Sequence, residues 1–531
     1  MKSLEHNGIY IPNYSPIGLS VRFKERWIPL DAEGEQMAIS FVRKLETPYV
    51  KDPVFLSNFL SDFVHKINPL KPNEEYDMCW LDIENYDWTD IQEYLNDLKS
   101  NTESMSTEDK KLAKTLKTEL RDKLKEKYGY AFVDGKKMPL MNWTVEPAGI
   151  YLSKGKSPLR GRWKRSVTKD EITLNLSKKL KGGWGAIVWK PNEMWIASWK
   201  SPLDGKMKYV WFSPATDIRQ DKERKKFSLA SKLASEIVKL EEYIDNELYS
   251  KDIERRKLAT AVYLIKALAI RVGDEKLAGE HGTIGCITLK TENIQLNKDG
   301  LVVLDFIGKD WVNWHRELIV SEQVYKNIKD FKEQAGENFI FKGIDSSKIS
   351  LFLRESIPGL SAKVFRTYVA GTVWDEHAKR NLNLIGEKTS DPLKKYLFKM
   401  TNLEVAKKLN HKRALPKNYS EKLKKKAEKC KEEKEKLLAL GKETIQRTDV
   451  RLEAKFQKLQ TKVEKLCTDY ELMKDTGEWN LGTSLTSYID PNKVLTFVEK
   501  ADLDIDDVYS KSLKEKYSWA IEERRKTHSK D

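Results

Sequence analysis

Five side chains in separate segments of the chain could together act on a phosphodiester. They are two arginines, a lysine, a histidine and a tyrosine: Arg271, Lys309, Arg366, His411 and Tyr488. The guanidinium group of arginine can donate hydrogen bonds to two phosphate oxygens at once. Histidine adds a further donor that stabilises the negative charge developing on these oxygens. Tyrosine can be a covalent nucleophile, and lysine can protonate a leaving alkoxide. Because the sequence contains no cluster of metal ligands, this set predicts metal-free attack of a tyrosine on a phosphodiester.

Each of these residues also has an ordinary structural interpretation. Arg271 follows the apolar run 261–270 and would cap the C-terminal end of a helix. Arg366 could pair with a carboxylate, and His411 could be a hydrogen-bonded core histidine. The chain has 21 tyrosines and 96 Lys+Arg, so no single position is informative. The prediction therefore depends on the order of the segments and on the sequence around each residue.

The five segments resemble the active-site motifs of the type IB DNA topoisomerases, in their eukaryotic and archaeal branch. In chain order they are Arg271-Val-Gly-Asp-Glu-Lys276, Phe306-Ile-Gly-Lys-Asp310, Ala362-Lys-Val-Phe-Arg-Thr-Tyr368, Leu409-Asn-His-Lys-Arg-Ala-Leu-Pro416 and Ser484-Leu-Thr-Ser-Tyr-Ile-Asp-Pro491. Weaker matches at 6–12, 146–149, 158–165, 194–199 and 508–521 follow the same order. The resemblance therefore covers nearly the whole chain.

The resemblance implies a role for each of the five side chains. Tyr488 would attack the phosphorus and become joined to the 3′ end of the cut strand. Arg271, Arg366 and His411 would hold the non-bridging oxygens, and Lys309 would protonate the departing 5′ oxygen. The free 5′ end would swivel about the intact strand and then reseal it, so both signs of supercoil would relax without ATP, a metal or another cofactor.

The resemblance also implies how the protein meets DNA. Lys154, Lys208 and Lys363 match basic positions near DNA in the family. The expected partner is double-stranded DNA, enclosed by a monomeric clamp. Two residues depart from the eukaryotic pattern: Asp274 stands where asparagine is usual, and Ser487 replaces the asparagine before the nucleophile. Neither removes a catalytic group.

Composition agrees with this interpretation without establishing it. The net charge is +15 and the isoelectric point is about 9.1, which is typical of proteins that meet polyanions. The four cysteines are far apart in the sequence and form no Cys-x-x-Cys pair, which favours a reducing compartment. No apolar stretch predicts a membrane span or a signal peptide. We expect a cytoplasmic, nucleoid-associated protein of an archaeal cell, or a nuclear protein if the source is eukaryotic.

The pattern along the chain predicts an α+β multidomain protein. Residues 1–215 mix short strands with a charged helix around Thr107–Tyr128 and would form a DNA-binding lobe. Residues 216–416 would form a mainly helical catalytic domain with a small sheet around Ile287–Leu304 and Lys309. Residues 417–475 would form a coiled-coil linker, and residues 476–531 would form a C-terminal domain that carries the nucleophile.

The linker prediction depends on a heptad pattern. Apolar or aromatic residues recur at Leu452, Phe456, Leu459, Val463, Leu466 and Tyr470. A weaker seam runs through Leu423, Ala427, Cys430 and Leu437, and Gly441 is predicted to form the turn between two antiparallel helices. Tyrosine recombinases use the same residue types but place the nucleophile shortly after the histidine, whereas 77 positions separate the two here. A non-enzymatic DNA-binding or coiled-coil scaffold remains the alternative of a different class.

Overall fold

The computed structural model describes residues 1–68, 78–153, 155, 157–178, 180–273, 284–308, 312–416, 418–446 and 450–528, apart from the side chain of residue 528. The chain divides into two compact units, Met1–Arg219 and Gln220–Asp531. Strands are concentrated in the first unit, whereas the second is mainly helical. This agrees with the mixed α/β composition predicted from the sequence.

The first unit contains short strands and several helices. Its helices span Ala32–Val42, Pro53–Ile67, Thr89–Ser104 and Thr107–Tyr128. Its strands span Leu4–Glu5, Ser20–Phe23, Arg26–Pro29, Tyr86–Asp87, Tyr130–Val133, Lys136–Pro139, Gly149–Ile150, Trp163–Lys164, Thr173–Asn175, Ala186–Val188, Trp195–Lys200 and Met207–Trp211. The last four form one sheet, in which Trp195–Lys200 lies between Thr173–Asn175 and Met207–Trp211.

The sequence interpretation found only one of the helices of this unit. Thr107–Tyr128 has the predicted bounds, and Ser106 caps its first turn by accepting from the Asp109 amide. The helix Pro53–Ile67 was missed although Asp52 caps it and proline occupies its first position. This helix buries a row of phenylalanines against Ala32–Val42, with the rings of Phe41 and Phe59 stacked 4.1 Å apart.

The second unit carries a small sheet among helices. The helices span Asp217–Ser235, which begins at the end of the first unit, Ile237–Glu247, Ile253–Leu268, Glu322–Ala335, Ser346–Ser356, Ala362–Leu382, Asp391–Lys408, Tyr419–Gln446, Val450–Thr476, Leu481–Ser487, Pro491–Lys500, Ile505–Val508, Lys511–Lys516 and Ser518–His528. The antiparallel strands are Ile294–Leu296, Leu301–Gly308 and Val312–Ile319. The predicted sheet therefore begins later than Ile287, since 286–288 form a single 3₁₀ turn.

One helix of this unit belongs to two hydrophobic cores. Val364 and Phe365, near the start of Ala362–Leu382, pack in a core with Ile253–Leu268 and the sheet. Val369 and Trp374, one and two turns later, pack in a second core with Pro491–Lys500 and the C-terminal helices. The intervening turn is consequently held from both sides, and this turn carries Arg366.

Two long helices follow the last histidine motif and contact one another. The apolar positions of Val450–Thr476 that the heptad pattern predicted are all buried or partly buried. The predicted turn at Gly441 is wrong, because Tyr419–Gln446 continues five residues beyond it. A Cβ atom at Gly441 would lie 3.1 Å from Cε2 of Phe456. Glycine at this position therefore makes room for a ring from the opposite helix instead of breaking its own.

A disulfide joins these two helices. Cys430 and Cys467 are 37 residues apart in sequence, and their Cα atoms lie 5.3 Å apart. On the same side of the pair, Nζ of Lys462 lies 2.8 Å from a carboxylate oxygen of Glu433. The bond counts against the reducing compartment that the sequence favoured. Cys430 and Cys467 are far apart in the sequence, and the antiparallel pairing of the two helices brings them together.

No helix in the described residues combines the length and the apolar character that crossing a bilayer requires.

Candidate active site

Arg366 is a buried cation held by backbone oxygens. Its exposed fraction is 4 %. Nη1 donates to the carbonyl of Ala269, and Nη2 donates to the carbonyl of Leu409 at 3.0 Å. Its contacts among the described residues include no ion pair with a carboxylate, and its Nε has no hydrogen-bond partner there. The alternative of a structural ion pair is therefore unsupported, and the guanidinium keeps both its charge and a spare donor.

The local backbone fixes the place of His411. The helix Asp391–Lys408 is followed by Asn410 in the left-handed conformation, with φ of 56°, and the His411 amide then donates to the carbonyl of Ala406 at 2.8 Å. This is the arrangement that commonly ends a helix, and asparagine is one of the few residues that adopts it readily. The carbonyl of His411 accepts from the amide of Asn480 at 2.7 Å. The histidine backbone is therefore tied on both sides.

The His411 ring is a neutral hydrogen-bonding group. Its exposed fraction is 7 %, its Nε2 lies 3.3 Å from Nη2 of Arg366, and its Nδ1 lies 2.9 Å from Oγ of Ser484. Burial, followed by repulsion from Arg366 and Arg271, lowers the pKa of His411 from 6.5 to about 3. At neutral pH the ring can therefore donate or accept a hydrogen bond without adding charge.

Tyr488 lies at the end of a short helix beside these two residues. It follows Leu481–Ser487, and its amide donates to the carbonyl of Ser484 at 2.9 Å. The Tyr488 ring centre lies 5.3 Å from the His411 ring centre and 5.0 Å from the guanidinium carbon of Arg366. The end of this helix is held by the hydroxyl of Tyr517, which donates to the carbonyl of Thr486 at 2.7 Å.

Arg271 reaches the same place from a third segment. With Arg366 and His411 it lines a cleft of about 90 Å³, whose other walls are Val312, Trp314, Leu409, Asn410, Lys412, Asn480 and Thr483. The helix Ile253–Leu268 has already ended, and the carbonyl of Arg271 instead accepts from the amide of Cys286 at 2.8 Å. Arg271 is exposed, so it faces the cleft opening while Arg366 lies deep.

Two glycines behind Arg271 allow this approach. A Cβ atom on Gly285 would lie 2.5 Å from Cα of Gly273, closer than side chains tolerate. Gly273 also has a φ of 76°, which disfavours any residue with a side chain. The backbone after Arg271 can pass this closely only because both positions are glycine.

Lys309 lies outside the described residues. The strands on either side of it are paired as far as Gly308 opposite Val312. Two residues of the second strand, Val312 and Trp314, line the cleft that holds Arg366. A Cβ atom on Gly308 would lie 2.6 Å from Cδ1 of Trp314, so glycine lets the indole lie against the first strand. The described ends of this hairpin thus adjoin the site.

The three predicted DNA-binding lysines are placed separately. Lys154 lies outside the described residues. Lys208 is half-buried on the strand Met207–Trp211, opposite Trp199, in the first unit. Lys363 is exposed in the first turn of Ala362–Leu382, in the second unit.

Sequence reasoning assigned no role to Ser484, Asn410 or Asn480, which hold His411 and the Tyr488 segment. Asparagine directly after a predicted helix was a usable signal for the left-handed turn.

Comparison with known proteins identifies the family. Three family models match: eukaryotic DNA topoisomerase I, DNA binding fragment, at residues 1–212; its catalytic core at 215–444; and a C-terminal topoisomerase domain at 460–529. DNA topoisomerase 1 of Daucus carota is 31% identical over 98% of this chain and 71% of its own length. The chain belongs to the eukaryotic DNA topoisomerase I family. The recombinase alternative does not fit this membership.

Other relatives show how much of a related protein this chain spans and from which organisms such proteins come. DNA topoisomerase 1 beta of Arabidopsis thaliana is 30% identical over 98% of this chain, which spans 58% of that relative. The Homo sapiens enzyme named DNA topoisomerase 1 is 28% identical over 98% of this chain and 71% of its own length. These relatives come from plants and an animal, so they give no support to the archaeal, cytoplasmic setting expected from the sequence.

The buried neutral histidine predicts a loss of stability in acid. Below pH 6.5 the unfolded chain takes up a proton at His411, whereas the folded chain resists protonation until the pH nears 3. The stabilisation is therefore complete above pH 6.5 and is lost as the pH falls from 6.5 towards 3. At pH 5 the loss should be about 2 kcal/mol, from about 1.4 kcal/mol per pH unit.

Urea unfolding at pH 8 and pH 5 measures this loss. The drop in unfolding free energy between the two values should be about 2 kcal/mol larger for the parent chain than for His411→Gln, because glutamine does not titrate. The pH 8 comparison serves as the control, since it records the packing cost of the substitution alone. Equal drops in the two proteins would show that His411 is protonated in the folded state at pH 5.

Proposed function

We propose that this protein is an ATP-independent type IB DNA topoisomerase that relaxes positive and negative supercoils through a 3′-phosphotyrosyl intermediate. The observation that carries the proposal is the position of Arg366. It is a buried guanidinium with a spare donor and no carboxylate partner among the described residues, and it lies 5.0 Å from the Tyr488 ring. Such a cation is stabilised by an anionic ligand, and the phosphodiester supplies one.

The proposed chemistry assigns each group one task. The Tyr488 oxygen attacks phosphorus and releases its proton to solvent water, while the bond to the 5′ oxygen breaks. Arg366 and Arg271 bind the non-bridging oxygens, whose charge grows in the five-coordinate state. Neutral His411 donates a further hydrogen bond, and Lys309 gives a proton to the departing 5′ oxygen. The 5′ hydroxyl later reverses these steps, so the phosphodiester is conserved without ATP or a cofactor.

The remaining predictions complete this proposal. Double-stranded DNA would be enclosed by a monomer, with Lys154, Lys208 and Lys363 binding its phosphates. The four-domain division at residues 215, 416 and 475 stays part of the proposal. Two family models end and begin near the first of these boundaries, whereas the other models run across the second and third. The paired long helices would form a coiled-coil linker between the histidine and the tyrosine. The plant and animal sources of the relatives favour the nuclear setting over the archaeal one, whereas the Cys430–Cys467 disulfide counts against a reducing compartment such as the nucleus.

Relaxation of supercoiled plasmid in EDTA, without ATP, tests the proposal. The parent chain should relax both negatively and positively supercoiled plasmid, and Tyr488→Phe should relax neither. Tyr249→Phe is the matched control, because it removes the hydroxyl of an exposed tyrosine elsewhere in the second unit and should leave the rate unchanged. Denaturation during the reaction should trap the protein on the strand whose 3′ end it holds.

The polarity of this adduct decides between mechanisms. A label on the 5′ end of the cut strand should leave a labelled fragment free of protein only if the link is to a 5′ phosphate. Relaxation by Tyr488→Phe at the parent rate, or a 5′ link, would overturn the proposal. Binding of DNA without relaxation over a range of salt concentrations would instead favour a binding role.

A further inference from the structure

Ser484 connects two parts of the candidate active site that are far apart in the sequence. It is fully buried in the helix Leu481–Ser487, with an exposed fraction of 0 %. Its Oγ lies 2.9 Å from Nδ1 of His411, 73 residues earlier in the chain. Its carbonyl accepts from the amide of Tyr488 at 2.9 Å and from that of Ile489 at 3.0 Å. One residue therefore holds the side chain of His411 and the backbone of Tyr488.

The partners of His411 determine which ring nitrogen carries its proton. A guanidinium only donates hydrogen bonds, so the contact from Nη2 of Arg366 at 3.3 Å requires Nε2 of His411 to accept. In a neutral ring the proton is then on Nδ1, which donates to Oγ of Ser484. In this arrangement the histidine has no N–H directed towards the cleft.

A phosphate oxygen in the cleft requires the opposite tautomer. It accepts hydrogen bonds only, so His411 must present N–H at Nε2 and an unprotonated Nδ1. The Ser484 hydroxyl can then rotate and donate to Nδ1, because a hydroxyl both donates and accepts. The number of protons on the ring stays at one, since Nδ1 loses a proton and Nε2 gains one.

We propose that Ser484 is a positioning residue that stabilises the Nε2–H tautomer of His411 when a phosphodiester occupies the cleft. In the free protein the same hydroxyl accepts from Nδ1, so it supports both tautomers while keeping the ring in one orientation. Its catalytic consequence rests on the proposed function, whereas the tautomer in the free chain does not. Alanine at this position would leave Nδ1 buried without a partner in both states.

Nitrogen NMR of the full chain labelled at its seven histidines tests the tautomers directly. The signal of His411 is assigned from its absence in His411→Gln. We expect Nδ1–H in the free protein and Nε2–H in uncleavable Tyr488→Phe bound to duplex DNA. Nδ1–H in both states, or Nε2–H in the free protein, would overturn the proposal. This experiment needs no turnover, so its outcome is separate from whether the protein relaxes DNA.

Single-turnover cleavage tests the consequence. Ser484→Ala should slow cleavage by about 10- to 100-fold, the usual effect of losing a group that orients a catalytic side chain, with DNA affinity unchanged within about twofold. Ser484→Thr keeps the hydroxyl and should recover most of the rate. The control Thr486→Ala removes an exposed hydroxyl from the same helix and should match the parent chain.

Two outcomes of the cleavage experiment would overturn the proposal. A rate for Ser484→Ala within about twofold of the parent would overturn the proposal, as would equal loss in the threonine and alanine variants with both folded. If Ser484→Ala does not fold, Ser484→Thr carries the test, because it must show the parent tautomers and most of the parent rate. If the parent chain shows the predicted tautomers but does not relax supercoiled DNA, the proposed function is contradicted instead.

Discussion

Replacement of Arg366 by lysine should slow DNA cleavage by about 10²- to 10³-fold, with little change in DNA affinity. The effect is that of removing one preorganised donor from a site of developing charge. Lysine keeps the positive charge, but its single ammonium group lacks the planar set of N–H donors with which a guanidinium binds partners on two sides. It cannot contact the carbonyls of Ala269 and Leu409 together with a phosphate oxygen. Single-turnover cleavage of a duplex oligonucleotide measures the rate.

The geometry of Arg366 also predicts a cost in stability. Its two carbonyl contacts join the chain after Ile253–Leu268 to the chain after Asp391–Lys408. Leaving one buried carbonyl unpaired costs about 1–3 kcal/mol, so the variant should be less stable by this amount. The matched control is Arg380→Lys, near the end of the same helix, where the arginine forms an exposed ion pair with Glu376. Cleavage by Arg366→Lys within tenfold of the control would contradict the assigned role.

Reduction of the Cys430–Cys467 disulfide should destabilise the two paired helices by about 3–4 kcal/mol. The estimate follows from the chain entropy that the bond removes when it closes a loop with a sequence separation of 37 residues. The loss should be confined to Tyr419–Gln446 and Val450–Thr476, because the bond joins these two helices, on which few side chains, such as Leu440 and Val463, are buried. Hydrogen exchange with and without a reducing agent measures it segment by segment.

A variant separates the disulfide from other effects of the reducing agent. Cys430→Ser should exchange as fast as the reduced parent chain and should not respond to reduction. Cys79→Ser, in the first unit, should leave exchange in the paired helices unchanged, since Cys79 is not disulfide-bonded. Equal protection of the helices in oxidised and reduced protein would show that their packing alone holds them together.

Local patterns predicted individual elements well where the signals lay within a few residues. Thr107–Tyr128 has the predicted bounds because serine and glycine stand at its two ends. The apolar spacing from Leu452 to Tyr470 found a long helix. The same approach failed at Gly441. A glycine inside a helix can leave room for an aromatic ring of another helix, and that contact is visible only once the two helices are paired. The disulfide was missed for the same reason.

The site shows a similar division between residue types and contacts. Motif order brought together Arg271, Arg366, His411 and Tyr488, and the fold places the first three around one cleft with the fourth beside them. The sequence could not reveal that Arg366 is held by carbonyls, because backbone groups leave no trace in residue identity. Nor could it pair Ser484 with His411, since that contact crosses 73 residues and depends on how the chain returns after the long helices.

The helix that belongs to both hydrophobic cores has a consequence for biosynthesis. Its first turn packs with residues that precede it in the chain, whereas its later turns need helices beyond residue 490. On a ribosome, the segment with Arg271, Arg366 and His411 emerges before Tyr488 is made, and the second core stays incomplete until the residues from Leu485 to Ala520 have been translated. A nascent or prematurely terminated chain therefore lacks both Tyr488, the proposed nucleophile, and part of the core that packs against the helix carrying Arg366. Under the proposed function, such an incomplete chain could not cleave DNA.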